Sequence, residues 1–331
     1  MIDRVLRIDK LAGPTSHDVV NRARRLLKQK RVGHAGTLDP LASGLLLVLA
    51  GQATKISAWL TDLDKVYRAR LRLGIATDSG DRAGAPITEA PVPEDLAERL
   101  PVALERFTGE LMQVPPMTSA IKVDGEPLYR WQRAGREVAR APRRIVVHEI
   151  TCLELTPPEL ELRIRCGKGT YVRTLAADLA TALGTCGHLI ELRREAIGRI
   201  GLAGAVTSDE LSTLDREAVF ERAGMTLGEA LAHLPAIVIS QAAVAGVGEG
   251  RLPSPSELTA VTGPLAPGDL ARLEAEGGEL LAIVEARAAL ANGAEGESRS
   301  AAAALPAVPF RFRRVLARPE AALAGVSGAD G

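Results

Sequence analysis

The residues best placed to do chemistry lie close together: Gly33-His34-Ala35-Gly36-Thr37-Leu38-Asp39-Pro40 ends a glycine-punctuated stretch on a carboxylate. Glycine opens backbone shapes closed to other residues and lets a bulky ligand come near, so such loops on rigid supports favour a site. The Asp39 carboxylate is ionised at neutral pH and suits attack on carbon with a covalent intermediate. An Asp-Pro pair also marks a helix start, with Asp39 as N-cap and Pro40 at the first helical position. The two readings are compatible, because a cap fixes the carboxylate without using both oxygens. Other chemistries find less support. Cys152, Cys166 and Cys186 form no CxxC pair, and His17, His34, His148, His188 and His233 lack the spacing of a metal site. We expect no metal, no disulfide framework and a reducing compartment.

Elements on either side must hold this stretch. Residues 5–8 read as a strand, Gly13-Pro14 as a turn, and Thr15-Ser16 as a helix start, with Asp18 three residues after Thr15 in a capping-box position. Val19, Val20, Ala23, Leu26 and Leu27 recur at helical spacing, while Arg22, Arg24, Arg25 and Lys28 take the other face. Residues 31–39 show no period and read as a loop leading to the apolar run 45–50. Tyr67, Ala69, Leu71 and Leu73 alternate with Arg68, Arg70 and Arg72, the pattern of a half-buried strand, and 160–166 alternates likewise. Leu96, Leu100, Leu104 and Phe107 mark a second helix; 170–183 marks a third, ended by Gly184. Strands and helices mix without a strict βαβ rhythm, which predicts an α+β fold with a mostly antiparallel central sheet flanked by helices.

At 331 residues, with 46% apolar and 25% charged side chains, the chain predicts two globular parts. We expect a catalytic body over 1–234, with a Pro-, Gly- and Arg-rich excursion over about 115–145. A small β-rich domain should follow over 235–318, with strands at 236–239, 280–285 and 310–316. The compositions of 292–304 and of the tail, 317 or 319 to 331, predict poor order. No apolar run is long enough to cross a bilayer and no targeting segment opens the chain, so we expect a cytoplasmic protein. The formal net charge of zero is a cancellation: 1–60 carries +6 and 130–200 carries +5, against −4 over 61–129 and −7 over 201–331. Basic segments on a neutral protein bind phosphates through local field and counterion release. Arg130, Arg133, Arg136, Arg140, Arg143 and Arg144 make the excursion a candidate RNA clamp.

GHAGTLDPLASGLL, residues 33–46, resembles the catalytic motif of the TruB family of tRNA pseudouridine synthases, GHxGTLDPxAxGxL. Four further stretches resemble that family in the same order: Asp64-Lys65-Val66-Tyr67, the segment PPMTSAIK at 115–122, GKGTYVRT at 167–174 and HLIELRR at 188–194. The resemblance spans roughly residues 5–210. It implies isomerisation of the T-loop uridine (U55) of tRNA without a cofactor, on a pseudouridine-synthase fold with a C-terminal PUA-like domain. Asp39 would then be the nucleophile and Arg173 its ion-pair partner. An arginine in the first turn of a helix is disfavoured by ~0.3–1 kcal/mol, a conflict that a nearby anion removes. Tyr67 would stack on the flipped base and shuttle its C5 proton; stacking of ~1–3 kcal/mol returns part of the cost of extrusion. The resemblance further assigns substrate contacts to His34, Lys122, Tyr171 and Leu192. The implied partner is the tRNA T stem-loop, with no membrane and no required protein partner, the enzyme acting as a monomer.

The chain departs from the family in two places. Lys10 is followed by Leu11 where the family has proline, which is expected to loosen that turn, and the acidic C-terminal region resembles the family's RNA-binding domain chiefly at 280–287 and 309–316. Two other readings stand beside the leading one: a tRNA-folding factor acting without catalysis, and a guide-RNA-dependent synthase, whose chain normally carries partner-binding extensions.

Overall fold

The computed structural model describes residues 2–119, 121–123, 125–290 and 309–316. The segments expected to be poorly ordered, 292–304 and 317–331, lie outside the described residues, as do the side chains of Lys122 and Arg133. Contacts divide the chain into two units. One comprises Leu6–Val48 and Trp59–Ala223; the other comprises Met1–Val5, Leu49–Ala58 and Gly224–Gly331.

The larger unit is built on a mixed sheet. Its strands are β1 (Arg4–Lys10), β2 (Val32–Ala35), β3 (Ser43–Ala50), β4 (Lys65–Leu73), β5 (Gly109–Gln113), β6 (Arg143–Thr156), β7 (Glu159–Cys166), β8 (Gly187–Ile197) and β9 (Val206–Thr207). They lie in the order β9-β1-β3-β8-β4-β7-β6-β5, with β2 paired to β3 off this path. The run from β8 through β5 is antiparallel, whereas β8 meets β3 in parallel at Arg193 opposite Ser43 and Arg194 opposite Gly44. Seven consecutive residues of β3, Gly44 to Ala50, are buried, which is why that strand reads as an unbroken apolar run. In β4 the alternation holds: Lys65, Tyr67, Ala69, Leu71 and Leu73 are buried, and Arg68 and Arg72 are exposed.

Helix α1 (Ser16–Leu27) begins at the expected capping box: Thr15 accepts from the Asp18 amide and the Asp18 carboxylate accepts from the Thr15 amide. Its buried face is Val19, Val20, Ala23 and Leu27. Helix α2 (Leu96–Arg106) buries Leu96, Leu100 and Ala103. Between β5 and β6 the excursion carries a short hairpin, Lys122–Val123 with Glu126–Pro127, and helix α3 (Leu128–Arg133). Helix α4 (Val172–Ala182) puts Arg173 in its first turn and is followed by Gly184 at φ 85°.

Two expectations are corrected. Residues 31–39 are not all loop, because Val32–Ala35 pairs as a strand with β3. Nor does a helix follow Asp39. Its carbonyl accepts from the Ala42 amide at 3.0 Å, closing a turn that feeds directly into β3; the apolar continuation after Pro40 is taken by the sheet.

The smaller unit contains a second sheet of β10 (Ala236–Ile239), β11 (Leu258–Thr262), β12 (Leu270–Ala275), β13 (Leu280–Ala286) and β14 (Phe310–Val315). Its order is β11-β10-β12-β13-β14, with only β10 and β12 parallel. Ile237, Leu273, Val284 and Phe310 help form its core, with Val244 and Val247 from helix α5 (Gln241–Gly248). Among the described residues no helix is long and apolar enough to cross a membrane.

Candidate active site

Asp39 is presented by a loop tied down on three sides. Ser16, buried in the first turn of α1, accepts from the Leu38 amide at 2.9 Å and donates to the Leu38 carbonyl at 3.1 Å. The Gly13 amide donates to the Pro40 carbonyl at 2.8 Å. Lys10 is fully buried, and its ammonium donates to the carbonyls of Leu11 (3.0 Å), Pro14 (2.8 Å) and Pro40 (3.3 Å). The turn that carries Leu11 instead of proline is therefore held by the preceding lysine. Burial lowers the Lys10 ammonium to about 8, with Asp39 opposing that shift.

Arg173 meets Asp39 from the start of α4. Its Nε donates to Asp39 Oδ2 at 2.9 Å, with the arginine side chain 4% exposed and the aspartate 35%. Nη1 donates to the Ser79 carbonyl at 2.9 Å and to the Thr118 hydroxyl, and Nη2 donates to the Thr118 carbonyl at 3.0 Å. A second carboxylate, Asp81, lies 3.8 Å from Nη1 and is held by the Ser79 hydroxyl (2.7 Å) and the Ala83 amide (3.0 Å). Two anions thus offset both the burial of this cation and its position at the positive end of a helix.

Next to Arg173, Gln113 at the end of β5 accepts from the Tyr171 amide at 2.9 Å and donates to the Tyr171 carbonyl at 3.1 Å. The peptide carrying Tyr171 is clamped from both sides. On the opposite wall, Arg194 of β8 is buried and donates to the carbonyls of Leu45 (2.7 Å), Gly36 (3.0 Å) and Thr37 (3.4 Å). Gly36 sits at φ 85°, a conformation that favours glycine, while a Cβ there would meet Arg194 Nη1 only at an ordinary contact distance of 3.5 Å.

These groups surround a cavity of about 320 Å³ whose lining includes Asp39, Tyr67, Tyr171, Arg173, Leu192 and Arg194. That size lies at the lower end of small-ligand pockets and suits a single base with part of its sugar. Burial raises the Tyr67 hydroxyl above its ordinary range, with Arg194 pulling the other way, and burial likewise raises that of Tyr171. The site can therefore offer one anchored carboxylate, two protonated phenols and fixed cations to a planar ligand.

Five of the residues expected from sequence, Asp39, Tyr67, Arg173, Tyr171 and Leu192, line this one cavity. His34 does not: it lies on β2, partly buried, with Nδ1 lacking a hydrogen-bond partner and its basicity lowered by burial and by Arg194. The side chain of Lys122 lies outside the described residues. Sequence reading missed Asp81 and Gln113, and it gave no role at the site to Lys10, Ser16, Thr118 and Arg194, which it met only within turns, helix starts and motifs. For Arg194 a signal exists, since it shares the inward parity of Leu192. Among the described residues no group of His, Cys, Asp and Glu is arranged to hold a metal ion.

With this geometry in hand, comparison with known proteins is specific. A family model described as TruB family pseudouridylate synthase (N terminal domain) matches residues 24–172. The chain belongs to this family, and it is accordingly an isomerase that forms pseudouridine. Relatives named tRNA pseudouridine synthase B include one from Cupriavidus metallidurans, 44% identical over 84% of this chain and 89% of the relative. Another, from Dechloromonas aromatica, is 48% identical over 67% of this chain and 74% of the relative. Among solved structures, a chain from a Cbf5-Nop10-Gar1 complex superposes with a TM-score of 0.71 at 26% identity, covering 96% of this chain and 86% of that one. The shared architecture accords with the expected α+β pseudouridine-synthase fold.

Proposed function

We propose that this chain converts the T-loop uridine (U55) of tRNA into pseudouridine, with Asp39 as nucleophile and the target base flipped into the cavity. The observation that carries the proposal is the convergence of Asp39, Arg173, Tyr67, Tyr171 and Leu192 on one base-sized pocket. In the overall change the N1–C1′ bond breaks and a C5–C1′ bond forms, while C5 gives up a proton and N1 gains one. No electrons enter or leave, so the reaction calls for neither an oxidant nor a nucleotide. Asp39 supplies the attacking oxygen, and Arg173 holds that carboxylate in place through its Nε contact. Tyr67 and Leu192 sandwich the extruded ring, and Tyr67 is the group placed to move the C5 proton. Tyr171, His34 and Lys122 complete the RNA contacts, with the T stem-loop as the bound element and the protein acting as a monomer in the cytoplasm. The body over 1–234 does the chemistry; the domain over 235–318 adds grip.

The likeness to Cbf5, whose solved forms include complexes with Nop10 and Gar1, favours a second reading in which catalysis depends on a guide RNA and partners. One experiment separates them. The purified chain is incubated with unmodified tRNA, without metal, nucleotide or second RNA, and new pseudouridine is mapped. A single new pseudouridine in the T loop, absent with Asp39→Asn at tRNA affinity within about tenfold of wild type, is expected. Turnover by Asp39→Asn near the wild-type rate rejects the nucleophile, and an inert wild-type chain that gains activity only with a guide RNA supports the second reading.

A further inference from the structure

Arg194 is 1% exposed, yet its guanidinium meets only neutral groups: the carbonyls of Leu45, Gly36 and Thr37 and the side chain of Tyr67. Among the described residues no carboxylate pairs with it. Arginine does not give up its proton in proteins, so a full positive charge is buried in the pocket wall with no carboxylate at ion-pair distance among the described residues, an arrangement that a nearby anion would relieve. Arg173 is different, being faced by Asp39 and Asp81. The field of Arg194 reaches its neighbours, where it adds to burial in holding the His34 imidazole below its ordinary range and the Lys65 ammonium at about 8.

The reaction proposed above, on which this inference rests, moves a negative charge. If a carboxylate oxygen of Asp39 bonds C1′, the N1–C1′ electron pair leaves with the base, giving a neutral ester and a uracil anion. If the oxygen bonds C6, the C5–C6 π pair moves toward O4, again giving a neutral ester and an anionic ring. If Asp39 instead takes a ribose proton, it becomes a neutral acid while the base departs as the anion. Every route carries the charge from the carboxylate, which Arg173 serves, to the ring, which lies beside Tyr67, Leu192 and Arg194.

We infer that Arg194 is the cation that receives this charge: its unpaired guanidinium stabilises the anionic uracil, and its bonds to Gly36 and Thr37 keep the nucleophile's loop in register with it. Preorganised charge aimed at where charge develops is among the largest contributions available to an enzyme.

The test compares Arg194→Lys and Arg194→Gln with wild type in the full-length chain, on T stem-loop RNA carrying uridine or 5-fluorouridine at the target. Fluorine stabilises the ring anion, so that substrate depends less on an external cation. Single-turnover cleavage of the N1–C1′ bond, RNA affinity and thermal unfolding are measured together. Arg194→Gln is expected to lose ~10²–10³-fold in rate on uridine, to bind RNA within about tenfold of wild type, and to lose at least tenfold less on 5-fluorouridine. Arg194→Lys, which keeps the charge, should lie between wild type and Arg194→Gln on uridine. Equal losses on the two substrates, or equal rates for the lysine and glutamine variants, overturn the inference and leave Arg194 a structural residue. If Arg194→Gln does not fold, Arg194→Lys decides alone: its displaced charge serves the ring anion less well, so its loss should be larger on uridine than on 5-fluorouridine, and an equal loss on the two substrates overturns the inference. A wild-type chain inactive on uridine RNA would instead reject the underlying function, a result the variants cannot mimic.

Discussion

Arg173 reaches Asp39 through Nε at 2.9 Å while its two terminal nitrogens are committed to Ser79 and Thr118. The guanidinium is thus a fixed bracket joining three loops, and the carboxylate it holds has one oxygen left for chemistry. A lysine carries the charge but cannot reproduce this fork. Arg173→Lys should reduce single-turnover pseudouridine formation by ~10²–10³-fold, as loss of a preorganised electrostatic contact does, while RNA affinity changes less than about tenfold. A parallel loss of affinity and rate in filter-binding and single-turnover assays would contradict the bracket.

Ser16 is the hinge pin of the loop, bonded to both the amide and the carbonyl of Leu38. Ser16→Ala leaves two buried backbone groups without partners, at ~1–3 kcal/mol for an unsatisfied group. We expect a destabilisation in that range by urea titration, accompanied by a fall in kcat without a matching rise in KM. Wild-type stability would show that the clip is dispensable.

Glu210 accepts from both terminal nitrogens of Arg222 (2.8 and 3.0 Å) and from the amide (2.6 Å) and hydroxyl (2.8 Å) of Thr207. Arg222 first, then Thr207, holds its carboxyl down at about 2. A carboxyl with a depressed folded value contributes stability above its unfolded value, near 4.5, and that contribution is lost as pH falls through about 2. Glu210→Gln should therefore be less stable than wild type at pH 7, by no more than about 1 kcal/mol for so exposed a pair, with the gap closing between pH 4.5 and 2. A gap that widens on acidification would refute the assignment.

The excursion between β5 and β6 carries arginines that are already engaged. Arg130 faces Glu126, Arg140 faces Glu137, Arg144 faces Glu110, and Arg136 lies 4.8 Å from the centre of the Trp131 ring. Neutralising Arg130, Arg136, Arg140, Arg143 and Arg144 together should reduce the salt dependence of tRNA binding, but by fewer than five charges' worth of slope, because several must first leave a carboxylate. An unchanged slope would remove this segment from the RNA interface.

That Asp39, Tyr67, Tyr171, Arg173 and Leu192 belong together was legible because they stand in contiguous motifs and strict periods, and the structure gathers them in one cavity lining. The alternation of β4 placed Tyr67 inward, and the position of Arg173 in the first turn of α4 pointed to a nearby anion. What sequence alone could not supply were partners distant along the chain. Gln113 clamps Tyr171 from 58 residues away and Ser16 grips Leu38 from 22 residues away, and neither pairing has a local signature. Asp39-Pro40 misled because the same dipeptide that opens helices also opens a turn into a strand, and the apolar run that decides between them is read equally well either way. Arg194 stands in the HLIELRR stretch without a role assigned to it there; its parity with Leu192 was the available guide to its burial.

Gly44 is the point at which β3 and β8 come closest beside the pocket. Opposite it, β8 approaches so closely that a Cβ would lie 2.2 Å from the Arg194 carbonyl oxygen, and its φ of 100° excludes ordinary residues in any case. At this point two strands touch backbone to backbone, with no side chain to act as a cushion. The spacing between β3, which continues from the Asp39 loop, and β8, which carries Leu192 and Arg194, is consequently set here by atoms common to every amino acid, and side chains around the cavity can vary without altering this contact.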